Sequence, residues 1–126
     1  MTNSITETIG CDLGDRHSAI YLLHGDESVE QHRVPTTPRA MTEFFTRAPV
    51  HVVIEVGTHS RWVSELLKER GHRVTVANPR RVKAISESDS KSDERDAELL
   101  ARLGRVDRKL LAPVEHRVER RRRIWR

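Results

Sequence analysis

VHVVIEV, residues 50–56, decides the fold, because it is an almost unbroken run of apolar and β-branched side chains. Such a run is typical of a strand in the middle of a sheet that is covered on both faces. Its one acidic residue, Glu55, lies near the C-terminal end. Burying an unpaired carboxylate is costly, so we expect Glu55 to have a charged partner or a cation.

Three strands are predicted on the N-terminal side of this run. Residues 5–13 alternate between apolar and small or polar side chains, which is the period of a strand and turns Asp12 away from the apolar row. The segments 19–23 and 29–34 have strand character and are separated by a His-Gly-Asp turn. Together these segments predict an antiparallel meander that begins with the strand of Asp12.

Two helices are predicted around the central run. Thr37 is the expected cap of a helix that begins at Pro38 and keeps helical spacing of apolar residues as far as Ala48. Ser60 is the expected cap of the next helix, and Gly71 is placed to end it.

The pattern continues with a strand at residues 73–77 and a helix opened by Asn78 and Pro79. The polar stretch 86–92 predicts a mobile loop. A further helix is expected from Asp93 to about residue 103, with Gly104 as its terminator.

The element order β-β-β-α-β-α-β-α predicts an α/β fold in which right-handed crossovers place helices on both faces of a mixed five-stranded sheet. This is an RNase H-like (RuvC-type) arrangement. We expect residues 1–112 to form that domain and residues 113–126 to form a basic helix stub, since a chain of 126 residues has room for one core.

Four carboxylates are expected to converge in this fold. Asp12 and Glu55 fall on neighbouring strands, and Asp93 and Asp96, three residues apart, share one helix face. Each carboxylate pair at ~4 Å would repel by about 4 kcal/mol at an effective dielectric constant near 20, which divalent cations relieve. Read singly, Asp93 is an ordinary first-turn acid, Asp96 a surface residue and Asp12 a turn acid.

Oxygen-only ligands favour Mg²⁺ or Mn²⁺, and two such ions can stabilise the attacking and leaving oxygens of a phosphodiester displacement. We expect Asp12 to bridge the two ions. Glu55 would complete the shell of one ion, and the Asp93 and Asp96 pair that of the other.

Positive charge is concentrated at the C-terminus. Residues 1–100 hold 13 basic and 16 acidic side chains, whereas residues 101–126 hold 10 and 3. Such a tail attracts nucleic acid through counterion release, although a solvated charged helix has the same composition. The basic residues expected to contact nucleic acid are Arg80, Arg81, Lys83, Lys91, Arg95, Arg117, Arg120, Arg121, Arg122 and Arg123.

Other features set the expected compartment. The single cysteine, Cys11, cannot form an internal disulfide, and the polar N-terminus lacks the pattern of a signal peptide. No apolar stretch reaches membrane-spanning length. We therefore expect a cytoplasmic protein without membrane contact.

Four segments resemble the DEDD transposases of insertion sequences, whose recombination is directed by a bridge RNA. They are GCDLGDRHS (10–18), IEVGTHSRW (54–62), GHRVTVANPRRVKA (71–84) and KSDERDAELLARL (91–103). The resemblance implies a DNA transposase or recombinase that cuts and transfers DNA strands with Mg²⁺, with Asp12, Glu55, Asp93 and Asp96 as the metal ligands. It also implies a guide RNA and a homo-oligomer.

Members of that family continue into a coiled coil and a C-terminal domain that supplies a serine for strand cleavage. This sequence ends at RRRRIWR, where the coiled coil would begin, so we expect it to be truncated before both.

Two alternatives stay open from the sequence. DLGDRHS (12–18) also resembles the phosphate loop of actin-like ATPases, although no second glycine-rich phosphate motif accompanies it. The chain would also read the same if it were a nucleic-acid-binding fragment that retains the fold without cleaving.

Replacing Arg117 and Arg120–Arg123 with glutamine should flatten the salt dependence of DNA or RNA binding. On duplex DNA the slope of log affinity against log salt concentration should fall by about 0.9 for each phosphate that the tail no longer neutralises. Titrations at several salt concentrations measure it, and an unchanged slope would contradict a nucleic-acid role for the tail.

Overall fold

The computed structural model describes residues 6–86 and 93–115. Its five strands are β1 (Thr8–Leu13), β2 (His17–Leu23), β3 (Val29–Pro35), β4 (His51–Glu55) and β5 (Arg73–Ala77). Its helices are α1 (Pro38–Phe44), α2 (Ser60–Glu69), α3 (Pro79–Ser86), α4 (Asp93–Val106) and a 3₁₀ helix, Arg108–Leu111. Within these residues no helix is both long and apolar enough to cross a membrane.

The sheet order is β3-β2-β1-β4-β5, with β1 in the centre. β1 pairs antiparallel with β2 and parallel with β4, and β4 pairs parallel with β5. The predicted meander followed by parallel crossovers is confirmed, and so is the mixed five-stranded sheet flanked by helices.

The two faces of the sheet are covered by different helices. One face carries Ile9 and Cys11 of β1 and packs against α1 and α2 in the larger core. The opposite face is covered by α4, whose Ala97 and Ala101 pack on side chains of β2. The predicted alternation of β1 is confirmed, because Gly10 and Asp12 fall on the α4 face.

α4 crosses β1 at very short range. A Cβ atom on Gly10 would lie 2.0 Å from the carbonyl oxygen of Ala97 and 2.6 Å from the amide nitrogen of Ala101. Near the other end of the helix, Arg105 Nη2 donates to the carbonyl oxygens of Thr6 (2.7 Å) and His24 (2.8 Å). The helix therefore runs antiparallel to β1, with its N-terminal end toward the C-terminal end of the strand.

Gly104 does not terminate this helix, contrary to the sequence prediction. The helix continues to Val106, and Gly104 is buried inside it. A Cβ atom at Gly104 would lie 2.5 Å from Val53 Cγ2, so the glycine serves close packing between helix and sheet. In the sequence, a glycine required for close packing cannot be distinguished from a glycine that ends a helix.

Two helix ends also differ from prediction. α1 ends at Phe44, with Phe45 as its C-cap, so Ala48 lies outside the helix and is exposed. Ser60 is the first residue of α2 instead of its cap, because its Oγ bonds the backbone N–H and C=O of Gly57. Gly71 follows the end of α2 with φ +93°, as expected for a residue that stops a helix.

The helix predicted after Pro113 does not begin within the described residues. Residues 112–115 are not helical, and the Val114 N–H donates to the carbonyl oxygen of Val76 on β5 (2.8 Å). This bond attaches the segment to the edge strand β5. Of the loop predicted at residues 86–92, Ser86 is instead the last residue of α3. Residues 87–92 and the arginine-rich tail lie outside the described residues.

His51 is buried under α4 at the start of β4. It is 2% exposed, and its Nε2 lies 2.7 Å from Thr75 Oγ1. Burial, and then the charges of Arg73 and Arg108, lowers the pKa of His51 from 6.5 to about 4.

Gly10→Ala should be strongly destabilising, because the new methyl group meets the backbone of α4 and neither element can yield cheaply. We expect a loss of about 3 kcal/mol or more in the free energy of unfolding, the upper range for overpacking. Denaturant titration measures it. Gly57→Ala is the control, since its Cβ would meet only Glu55 O at 3.9 Å. Equal stability of the two variants would contradict the packing described for α4.

The neutral His51 should make stability fall with acid. The unfolded chain protonates this histidine near pH 6.5 and the folded chain near pH 4, so stability is complete above pH 6.5 and declines as the pH drops through that window. The loss should approach roughly 3 kcal/mol. Unfolding of wild type and His51→Gln across pH 4–7 tests this, and parallel curves would refute it.

Candidate functional site

Asp12 lies near the C-terminal end of β1, in the middle of the sheet. It is half-buried and faces α4, because it follows Gly10 by two residues along the strand. Its paired residue on β2 is Ala19, which has a small side chain. A carboxylate is thus held on a rigid central strand.

Glu55 is the last residue of β4, and it is also half-buried. The parallel register pairs Cys11 with Ile54, so Asp12 and Glu55 each follow a paired residue directly and fall on the same face of the sheet. Both take part in polar or electrostatic interactions. The prediction that the fold brings these two strands side by side is confirmed.

The N-terminal part of α4 approaches the same end of the sheet. Ala97 lies over Gly10, and the helix runs toward the C-terminal end of β1, so Asp96 and Asp93 come progressively nearer to that end. Asp96 is half-buried. The structure describes the backbone of Asp93 and not its side chain.

Among the described residues, no three His, Cys, Asp or Glu side chains lie close enough together to hold a metal ion. The donor set fits Mg²⁺ or Mn²⁺ in kind, since it consists of carboxylate oxygens on neighbouring elements. The four-ligand site remains a prediction.

Cys11 belongs to the core. The side chain is 1% exposed, and burial, followed by the charge of Asp12, raises the pKa of the thiol far above its usual range. A hydrogen bond from Ser18 opposes this shift weakly. The thiol stays protonated and is not a candidate nucleophile.

Sequence reasoning missed a hydrogen-bonded chain at the edge of this site. His59 Nε2 lies 3.1 Å from Asp15 Oδ1, and Trp62 Nε1 donates to His59 Nδ1 at 3.1 Å. Asp15 and His59 are 44 positions apart and have no local pattern in common. Their only signal in the sequence is that each closely follows one of the two strand carboxylates.

A family model described as transposase, of the DEDD and IS110 type, matches residues 9–123. The chain belongs to the DEDD transposase family. No curated protein matches it.

Solved structures agree on the fold of this DEDD transposase chain. Thermus thermophilus RuvC superimposes with a TM-score of 0.53 at 14% identity, over 80% of this chain and 96% of that one. T. thermophilus RuvC in complex with a Holliday junction substrate gives a TM-score of 0.56 at 14% identity, over 86% and 99%. The predicted RNase H-like, RuvC-type fold is confirmed.

The transposase chain carries basic side chains at the same end of the sheet. α3 begins directly after β5, and its Arg80, Arg81 and Lys83 are exposed. Arg95 of α4 is exposed as well. The other basic residues expected to contact nucleic acid, Lys91, Arg117 and Arg120–Arg123, lie outside the described residues.

Proposed function

We propose that this chain is the catalytic domain of a DNA transposase or recombinase, which cuts and transfers DNA strands in a Mg²⁺-dependent, RNA-guided reaction. The observation that carries the proposal is the placement of Asp12 and Glu55 at adjacent strand ends, on the face covered by α4, in a chain of the DEDD transposase family.

Asp12, Glu55, Asp93 and Asp96 are the residues that would hold the metal. Bound there, two Mg²⁺ or Mn²⁺ ions supply charge stabilisation for the attacking and leaving oxygens of a phosphodiester. Asp12 is suited to bridging the two ions because its strand, β1, lies next to β4, which carries Glu55, and under α4, which carries Asp93 and Asp96. Because α4 packs antiparallel to β1, Asp93 and Asp96 would approach the ions from the helix, while Asp12 and Glu55 approach them from the sheet.

DNA is the proposed substrate. One RuvC structure of the same fold is a complex with a Holliday junction substrate, and fold likeness of this kind is an analogy. The chain itself offers exposed cations beside the carboxylates, on α3 and at Arg95, where phosphates of a bound strand would be attracted. The tail, residues 113–126, would form a basic extension toward a guide RNA or a partner subunit of a homo-oligomer, in the cytoplasm.

A second candidate is a nucleic-acid-binding fragment without cleavage activity. It needs only the RuvC-type fold and the exposed cations of α3 and Arg95, which can attract phosphates without a metal site. The two candidates share the fold and the basic residues, and they differ in whether divalent cations bind.

Asp12→Asn should abolish metal binding, because it removes the proposed bridging charge. We expect wild type to bind Mn²⁺ and Mg²⁺ at up to millimolar concentration by titration calorimetry. The variant should bind more than about 100-fold more weakly, beyond the roughly 10- to 100-fold cost of losing an outer-shell partner.

Asp26→Asn is the matched control, since Asp26 lies in the turn between β2 and β3 and accepts hydrogen bonds from Ser28 through an oxygen that asparagine retains. DNA cleavage with Mn²⁺ is measured in parallel. Salt-dependent DNA binding by wild type, with no cation binding and no cleavage, would reject the catalytic proposal and favour the second candidate.

A further inference from the structure

We propose that His59 is a positioning residue, which holds together the two loops that follow Asp12 and Glu55 through its hydrogen bond to Asp15. The inference rests on the proposed metal-binding function and deepens it. It concerns the loops that follow the two strands.

The hydrogen bond between His59 and Asp15 connects the loops that follow the two strands carrying Asp12 and Glu55. Asp15 follows Asp12 by three residues, in the turn from β1 to β2, and His59 follows Glu55 by four residues, at the N-cap of α2. The Nε2 to Oδ1 distance is 3.1 Å. A change in the distance between these loops must therefore lengthen or break this bond.

The hydrogen bond from Trp62, which packs against the core, sets the orientation of the His59 ring. The indole N–H of Trp62 can only donate, so His59 Nδ1 is the acceptor of that 3.1 Å bond. In the neutral ring the proton is then on Nε2, which donates to Asp15. Trp62 is half-buried against the larger core, and its ring meets the imidazole edge-on at 6.0 Å and 90°.

Both loops are held to the body of the protein. In the β1–β2 turn, the carbonyl oxygen of Arg16 accepts from the Thr36 N–H at 2.8 Å. In the β4–α2 loop, Ser60 Oγ bonds both backbone groups of Gly57, and the His59 carbonyl oxygen accepts from the Val63 N–H. The bond between Asp15 and His59 thus connects two ordered segments and transmits their positions to the carboxylates.

Stability is a poor explanation for this contact. The Asp15 side chain is 91% exposed, and solvent-exposed pairs contribute about 0–1 kcal/mol. Removing the bond should therefore change the melting temperature little. Its effect should appear in metal affinity, where ligand geometry matters and loss of outer-shell partners costs roughly 10- to 100-fold.

The test is Mn²⁺ titration of wild type, Asp15→Ala, His59→Ala and the double variant, with melting temperature recorded for each. We expect roughly tenfold weaker Mn²⁺ binding in each single variant and no further decrease in the double variant, because both changes break one bond. His59→Gln, which keeps a donor at the position of Nε2, and Asp15→Asn, which keeps the acceptor without the charge, should bind Mn²⁺ nearly as wild type.

His32→Ala is the matched control. It breaks a histidine–carboxylate pair of the same kind, His32 to Glu30 at 3.0 Å, on edge strand β3, and it should leave Mn²⁺ affinity unchanged. Wild-type affinity in Asp15→Ala and His59→Ala, or additive decreases in the double variant, would overturn the inference and leave the proposed function standing. A wild type that binds no Mn²⁺ would instead overturn the proposed function, and this inference with it.

Discussion

The close contact between α4 and β1 at Gly10 is the constraint on which the rest of the molecule depends. It leaves no room for a side chain, so backbone meets backbone and the helix is seated on the central strand. The bonds from Arg105 to carbonyl groups beyond the strand set the direction of the helix. With both contacts in place, the first turns of α4 can only lie toward the end of the sheet where Asp12 and Glu55 are found. The packing of this face and the composition of the candidate site therefore both follow from the way α4 docks on β1.

The two faces of the sheet differ in composition and in proposed role. The face toward α1 and α2 is built from large apolar side chains and supplies most of the core. On the face toward α4, the helix crosses the central strand at close range, with alanine on the helix and glycine on the strand, and larger side chains such as Tyr21 and Leu23 pack to the side. Close approach would serve the proposed metal site, because its ligands would have to meet across a few ångströms and bulky residues between helix and strand would prevent that. Stability and chemistry can thus be carried by opposite faces of the same strands.

Charge is arranged in two zones at the C-terminal ends of the strands. Asp12 and Glu55 lie on the two middle strands, and the exposed cations of α3 and α4 lie at the same end of the sheet. A polyanion is attracted by the outer zone and repelled by the inner one, unless divalent cations neutralise the carboxylates. This electrostatic requirement couples the proposed binding of metal to the proposed binding of nucleic acid.

The sequence by itself determined the order of strands and helices along the chain, the neighbouring strands of Asp12 and Glu55, the side of β1 on which Asp12 lies, and the stop at Gly71. The first two follow from the connection rules of α/β folds, and the last two from local rules, because the two-residue period of a strand and the conformational freedom of glycine are properties of the nearby backbone. Only the tertiary structure decided that Gly10 and Gly104 serve close packing, that α1 stops before Ala48, and that His59 reaches Asp15. Each of these depends on how distant elements dock, and a contact across 44 positions leaves no periodic trace in the chain.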